Sequence, residues 1–430
     1  MSHRLYYGRN SERQKAPGAM STPRRHVPFG RRGMLTRRKH GTQVPKRFVT
    51  TYHWKSGQRV RILALEPYFG GSHRAFLEGW SQAGRHEWTI LSLPAYKWKW
   101  RMRHAAVTFA GQVQERLARG ATWDLLFCSD MLNLAEFLGL APPAVQELPS
   151  VVYFHENQLT YPVRVESERD YQFAMTNMTS ALAARAVWFN SAFHRDAFLH
   201  ALEAFLSRMP DYQPFDAVAG IRAKSQVFPP GVPGFAPRGP RRAGPLRILW
   251  AARWEHDKNP EEFFAALGLL KERQVPFRIS VIGEQFREVP EIFAHARRYL
   301  ADHIDRWGYQ QDRTDYEATL LEADVFVSTA THEFFGLSAV EATLAGAYPL
   351  VPRRLAYPEV FDCHEGKAAQ EFFYAAGARG LADRLADLAG RTESNDSLHH
   401  AARPIRDRLT RFEWPNRAPI LDEALEQRRA

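Results

Sequence analysis

The stretch Asp324-Val325-Phe326-Val327-Ser328-Thr329-Ala330-Thr331-His332-Glu333-Phe334-Phe335-Gly336-Leu337-Ser338-Ala339-Val340-Glu341-Ala342 decides the fold of this chain. Val325–Ser328 reads as a short strand buried in a parallel sheet, because it is a continuous apolar run rather than an alternating one. The run passes into a loop holding Glu333, and a helix is expected to open at Gly336. The free N–H groups of its first turn, from Gly336 through Leu337 to Ser338, form an anion site suited to a diphosphate, and glycine permits close backbone approach. Glu341 stands eight residues beyond Glu333, about five into the helix. It is expected to point into the same crevice, so that one carboxylate binds sugar hydroxyls and the other a ribose. The plainer alternative makes Glu341 a solvated helix residue and Glu333 a cap.

The same strand-to-helix alternation extends in both directions. Val60–Leu65, Trp88–Leu93, Leu125–Cys128, Val151–Phe154, Val187–Asn190 and Gln226–Phe228 read as strands, with helices at Arg74–Gln82, 105–119, 168–184 and 192–207. The run Pro229-Pro230-Gly231-Val232-Pro233-Gly234 and the basic stretch to Pro245 read as a linker. The pattern restarts at Arg247–Ala251, continues through Phe277–Ile282, and ends on Tyr348–Val351, with helices near 260–272, 290–302 and 315–322. The expected class is α/β: two Rossmann-like domains facing across a cleft. Residues 1–58 are a basic tail, 59–230 and 246–415 are the domains, 231–245 the linker and 416–430 a terminal helix. In such sheets ligands sit at the carboxyl ends of strands, so the loops after strands carry the chemistry.

Charge is distributed unevenly along the 430 residues. Residues 1–50 hold 13 basic residues and one acid, Glu12, while the rest holds 45 basic and 46 acidic residues. The net +11 therefore describes a tail, and does not make the body a nucleic-acid binder. No run of 18 apolar residues occurs, and the N-terminus lacks the apolar core of a secretory signal, so a soluble, cytoplasmic protein with no membrane partner is expected. Two cysteines, Cys128 and Cys363, make neither a disulfide framework nor a metal pair.

A second informative loop follows another strand: Trp250-Ala251-Ala252-Arg253-Trp254-Glu255-His256-Asp257-Lys258-Asn259-Pro260. Arg253 and Lys258 bracket it, and two such cations can neutralise a departing pyrophosphate. In the first half, Gly70 and Gly71 in Phe69-Gly70-Gly71-Ser72-His73 let the chain pass close to a ligand or simply make a turn. His155-Glu156-Asn157-Gln158 places four polar side chains at the end of a strand, where core packing does not explain them. His155 is expected near the anomeric carbon, through its side chain or its backbone carbonyl. Pro94-Ala95-Tyr96-Lys97-Trp98-Lys99-Trp100-Arg101-Met102-Arg103 interleaves aromatics and cations, as stacking on unpaired bases requires, although snorkelling lysines beside half-buried tryptophans fit as well.

These segments resemble the family 4 retaining glycosyltransferases of the GT-B fold. Arg253 and Lys258 stand at that family's cation pair, Glu333 and Glu341 at its Glu-x7-Glu motif, and Pro229-Pro230-Gly231-Val232 at its linker signature. From about Arg59 to Phe361 the likeness narrows to the tRNA-queuosine α-mannosyltransferases, carried by Glu66-Pro67-Tyr68-Phe69-Gly70-Gly71-Ser72-His73, Lys97–Arg101, Tyr153–Leu159 and Tyr357-Pro358-Glu359-Val360-Phe361. The resemblance implies mannose transfer from GDP-mannose to queuosine at the wobble position of aspartate tRNA, with retention, no metal and no other cofactor. The tRNA anticodon loop is the expected partner. The expected catalytic residues are His155, Glu333, Arg253 and Lys258. Gly336, Leu337, Ser338 and Glu341 would hold the donor. Gly70, Gly71, His73, Lys97, Trp98, Trp100, Arg101, Asn157 and Gln158 would line the acceptor side. A lipid or glycan acceptor, and a non-catalytic RNA-binding protein on the same fold, are the rival readings.

Overall fold

The computed structural model describes residues 59–163, 169–286, 288–362, 370–392 and 397–428; the basic tail and Cys363 lie outside them. The first sheet contains β1 (Arg61–Phe69), β2 (Glu87–Pro94), β3 (Leu125–Ser129), β4 (Ser150–Phe154), β5 (Ala186–Phe189) and β6 (Ser225–Val227). Its order is β2-β1-β3-β4-β5-β6, with every pairing parallel. The second contains β7 (Leu246–Ala251), β8 (Phe277–Ile282), β9 (Ile304–Gly308), β10 (Val325–Val327), β11 (Tyr348–Pro352) and β12 (Phe373–Tyr374). Its order is β12-β11-β10-β7-β8-β9, again wholly parallel. Central strands are buried along their whole length because helices cover both faces. The α/β expectation of two Rossmann-like halves is what the chain forms, and both sheets belong to one compact unit.

Strand order reverses once in each sheet, between β1 and β3 and between β7 and β10. Crevices open at such points, so a site is expected on the loops leaving these four strands and on the neighbouring loop after β4.

Several features differ from the sequence expectations. The helix expected at 105–119 starts at Trp98, so the basic-aromatic segment forms its first two turns rather than a loop. Met102, Ala105, Ala106, Phe109, Ala110 and Val113 supply the helical stripe that fixes this register. Strand β9, Ile-Asp-Arg-Trp-Gly, lacks an apolar run because it is an edge strand, and its burial is only partial. The stretch 231–245 is tied down: Arg238 and Arg241 both pair at 3.0 Å with buried Asp324 at the foot of β10. The terminal helix runs Trp414–Glu426 and packs on the first sheet, where Trp414, Leu421 and Leu425 join Phe76 and Trp80 in one core. Trp80 Nε1 donates to Asp422 at 2.8 Å there. The chain thus crosses between the halves twice, and the crossings pair, with Val232 N–H donating to Phe412 O and Trp414 N–H to Val232 O. Among the described residues, no helix is long and apolar enough to cross a membrane.

Candidate active site

The wall expected to face the donor, the donor side, is built where β7 and β10 end. The two loops are laced together before any ligand arrives: Thr331 N–H donates to Asp257 O at 2.8 Å, and Thr329 Oγ1 to Lys258 O at 2.8 Å. Lys258 is buried, and its Nζ donates to His332 O at 2.8 Å while lying 3.1 Å from Asp257 and 3.4 Å from Glu333. Burial alone would push the Glu333 carboxyl up, but Lys258 and its neighbours hold it below the usual range, so it stays ionised. Its other oxygen accepts Phe334 N–H at 3.1 Å, which fixes the direction of the side chain. Arg253 lies 3.3 Å from Glu255, its guanidinium 6.0 Å from the centre of the Tyr161 ring.

Gly336 caps the helix Leu337–Leu344 with φ +94°, a left-handed conformation that favours glycine. A Cβ there would also come within 2.9 Å of the Tyr357 ring, whose hydroxyl hydrogen-bonds Ser328 Oγ at 2.6 Å. Lys258, Glu333, Ser338 and Tyr357 line one small pocket beneath these loops. Glu341 is anchored by Tyr316 OH at 2.7 Å and Arg313 Nη2 at 3.0 Å, so it is a held carboxylate rather than the solvated helix residue of the plainer alternative.

The wall expected to face the acceptor, the acceptor side, has different chemistry. Buried Glu66 accepts from Ser129 Oγ at 3.0 Å and Tyr68 N–H at 2.9 Å, and pairs with His73 Nδ1 at 3.1 Å. Burial would lower His73, but the Glu66 carboxylate lifts it to about 9, so the ring is an imidazolium at neutral pH. The His155 ring lies 4.1 Å from that of His73, and burial plus this charge keeps His155 neutral. The backbone of His155 is gripped at both ends. Its N–H donates to Asp130 Oδ1 at 2.8 Å, and its carbonyl accepts from Asn190 Nδ2 at 2.9 Å. Burial lifts Asp130 to about 8. Glu66, His73 and His155 offer ligand atoms within 4.8 Å of one another, the one grouping among the described residues that could hold a metal ion.

Gly70 and Gly71 turn the chain out of β1: Gly71 has φ +51°, and a Cβ on Gly70 would meet Ala95 Cβ at 2.4 Å. Asn157 turns inward, fully buried, accepting from Leu159 and Thr160 N–H at 3.1 and 2.9 Å. It therefore shapes the loop and is not part of the acceptor surface. Gln158 is buried too, its N–H on Asn177 Oδ1 at 2.8 Å. Trp98 is half-buried against Phe173 at 5.1 Å, and Arg101 turns back to Pro94 O at 2.9 Å. Tyr96, Lys97, Lys99 and Trp100 remain exposed, Trp100 at 60%.

Sequence reasoning missed Asp130, Asn190, His194 and the bonding role of Glu359, and quoted Glu66 without assigning it. Asp130 follows β3 directly, so the rule that led to His155 after β4 also reaches it. Asn190 and Glu359 act across elements distant in sequence, and no local pattern marks them.

Residues 61–232 match the model of the tRNA-queuosine alpha-mannosyltransferase N-terminal family, and residues 236–404 that of the glycosyl transferases group 1. The chain is 39% identical over 315 residues to a tRNA-queuosine alpha-mannosyltransferase of Drosophila melanogaster, covering 70% of this chain and 82% of that protein. It is 25% identical over 283 residues to a glycogen synthase of Mycobacterium tuberculosis, covering 62% and 66% of the two chains. Among solved structures, Anabaena Alr3699/HepE in complex with UDP superposes with a TM-score of 0.59 at 15% identity over 85% of this chain and all of the other. Sucrose-phosphate synthase of Thermosynechococcus elongatus gives 0.60 at 16% identity over 85% and 98%. These two share the fold. The first half matches a model specific to one transferase group, and the second the common glycosyltransferase model; together they place this chain in the tRNA-queuosine alpha-mannosyltransferase family of GT-B glycosyltransferases.

Proposed function

We propose that the protein transfers mannose from GDP-mannose to queuosine at the wobble position of aspartate tRNA, in the cytoplasm, with retention of configuration. The observation that carries this reading is the pairing of a queuosine-transferase first half with a buried Lys258–Glu333 contact at the mouth of the Gly336 helix. Lys258, Arg253 and the amides of Leu337 and Ser338 receive the diphosphate, where preorganised charge acts most strongly on the leaving group. Glu341 takes the ribose hydroxyls, and ionised Glu333 accepts from hydroxyls of the sugar.

The His155 carbonyl, held by Asn190, retains a lone pair to face positive charge developing at the anomeric carbon. His73, charged through Glu66, supplies an N–H donor on the acceptor side. The leaving phosphate takes the proton of the acceptor hydroxyl, so no protein nucleophile is used. The exposed Tyr96, Lys97, Lys99 and Trp100 meet the anticodon loop, stacking on its unpaired bases. No metal enters this reading, because protein cations supply the charge; transfer that survives chelation unchanged is the expected outcome, and loss that zinc restores would reassign Glu66, His73 and His155 as ligands.

The decisive experiment is incubation with labelled GDP-mannose and bulk tRNA with or without queuosine. Label confined to the queuosine-containing pool is expected, and equal labelling of both pools would overturn the acceptor.

A further inference from the structure

The helix Ala192–Leu206 of the first half is capped twice, once from each side of the cleft. Its own Ser191 Oγ accepts His194 N–H at 3.0 Å, which is the ordinary cap a helix needs. The amides of Ala192 and Phe193, left over by that cap, are both taken by Glu359 of the second half, one per carboxylate oxygen, at 2.7 and 2.9 Å. Helix formation does not require this second carboxylate, and a helix N-terminus attracts negative charge from whatever stands opposite.

Both ends of this contact lead into the reacting centre. Glu359 rides on the short helix Tyr357–Val360, and Tyr357 packs against Gly336 and bonds Ser328, so the carboxylate is fixed to the donor-side wall. On the other side Asn190, two residues before Ala192, donates to the His155 carbonyl and bonds His194 Nδ1 at 2.8 Å. The His194 ring stacks at 3.7 Å on Phe334, the neighbour of Glu333, and Ser191 Oγ donates to Phe334 O at 2.6 Å.

We propose that Glu359 is a positioning residue: by closing on the Ala192 and Phe193 amides it couples docking of the donor-side wall to placement of the His155 carbonyl through Asn190. This rests on the transfer reaction assigned above. A donor that touches both walls binds the closed arrangement better and shifts the population toward it. Without Glu359 the helix keeps its Ser191 cap and the fold stands, but closure and carbonyl placement separate.

The test uses the full chain with Glu359→Gln and Glu359→Ala. The Gln side chain keeps size and one acceptor oxygen, so it separates charge from shape. Expected for Glu359→Gln is a kcat lower by about tenfold, with the donor KM changed less than about twofold, and a further fall for Glu359→Ala. The share of GDP-mannose lost to water rises in both, because the closed site excludes water less completely. A substitution that only loosened the fold would lower the melting temperature without moving the ratio of transfer to hydrolysis. Independently of sugar transfer, GDP slows hydrogen exchange at the Ala192 and Phe193 amides of the unaltered protein and leaves it unchanged in Glu359→Gln. A Glu359→Gln protein with unaltered kcat and transfer-to-hydrolysis ratio, or with amide exchange that responds to GDP as before, overturns the proposal. If the unaltered protein fails to label queuosine-containing tRNA, the assigned reaction falls, while the exchange arm still decides whether the contact responds to nucleotide.

Discussion

The two halves use one architecture to opposite electrostatic ends. Each is a six-stranded parallel sheet with its working loops at a reversal of strand order. On the donor side the charges are permanent: the Arg253 guanidinium is always a cation, and Glu333, 3.4 Å from Lys258, is held ionised. On the acceptor side they are conditional, because the charge of His73 exists only through Glu66, and Asp130 and His155 are pushed toward neutrality by burial. A diphosphate needs fixed positive charge that does not respond to pH. A neutral hydroxyl on a base needs donors and acceptors tuned near neutrality. Under the proposed assignment the topology supplies position, and the residue types after β1, β3, β4, β7 and β10 suit each wall to one of these tasks.

The contrast is broken most severely by Lys258→Ala. It strips the donor wall of its buried cation and leaves Asp257 and Glu333 facing each other, so kcat measured with GDP-mannose and queuosine-containing tRNA should fall by about a hundredfold to a thousandfold. Lys258→Arg should recover only part of this, because a planar fork does not replace a point charge in the same cavity. Glu66→Gln attacks the other wall. It removes the partner that charges His73, and the His73 ring titration followed by NMR should move from about 9 to below neutrality while transfer falls by about tenfold. If activity survives with the titration moved, the imidazolium is not needed and the acceptor wall works through shape.

Trp100→Ala should act on RNA alone, raising the KM for tRNA by about fivefold to tenfold and leaving donor hydrolysis unchanged. Lys99→Ala should reduce the salt slope of tRNA binding by about one. The smallest effect expected is on stability against pH. His332 is held to about 4 by burial and Lys258, so the unfolded chain takes a proton first and stability falls as pH drops from about 6.5 toward 4. The His73 pair contributes fully below about 6.5, and its share is lost as pH rises through about 9. Melting temperatures should therefore fall between pH 7 and pH 9, where the Asp130 carboxyl also ionises, and His73→Gln should flatten that alkaline limb.

Most of the fold was legible because continuous apolar runs bounded by polar loops admit few arrangements, and β8 matches its predicted bounds at both ends. The missed strand β9 lies at an edge, where Asp305 and Arg306 interrupt the apolar run that marks buried strands. That Arg253, Lys258 and Glu333 come together was legible because they sit within two loops of contiguous sequence. The grouping of His73 with His155 was half legible: both follow strands closely, but the Glu66 contact that charges His73 is a product of β1 geometry. Asn157 was misplaced because a short polar side chain after a strand serves a turn as readily as a ligand. Asn190 and Glu359 were invisible, since only the folded chain brings them to His155 and to the Ala192 amide.

The return of the terminal helix to the first sheet has a consequence for recombination. The Trp414 ring lies only 2.2–2.3 Å from where a Cβ on Gly79 or Gly231 would stand, one on the first helix and one at the outgoing crossing. A single cut near Val232 would therefore part the first half from the helix that completes its core. The second half can be exchanged between relatives as a cassette excised at two points, near Val232 and near Glu413, with Trp414–Glu426 left to its original owner.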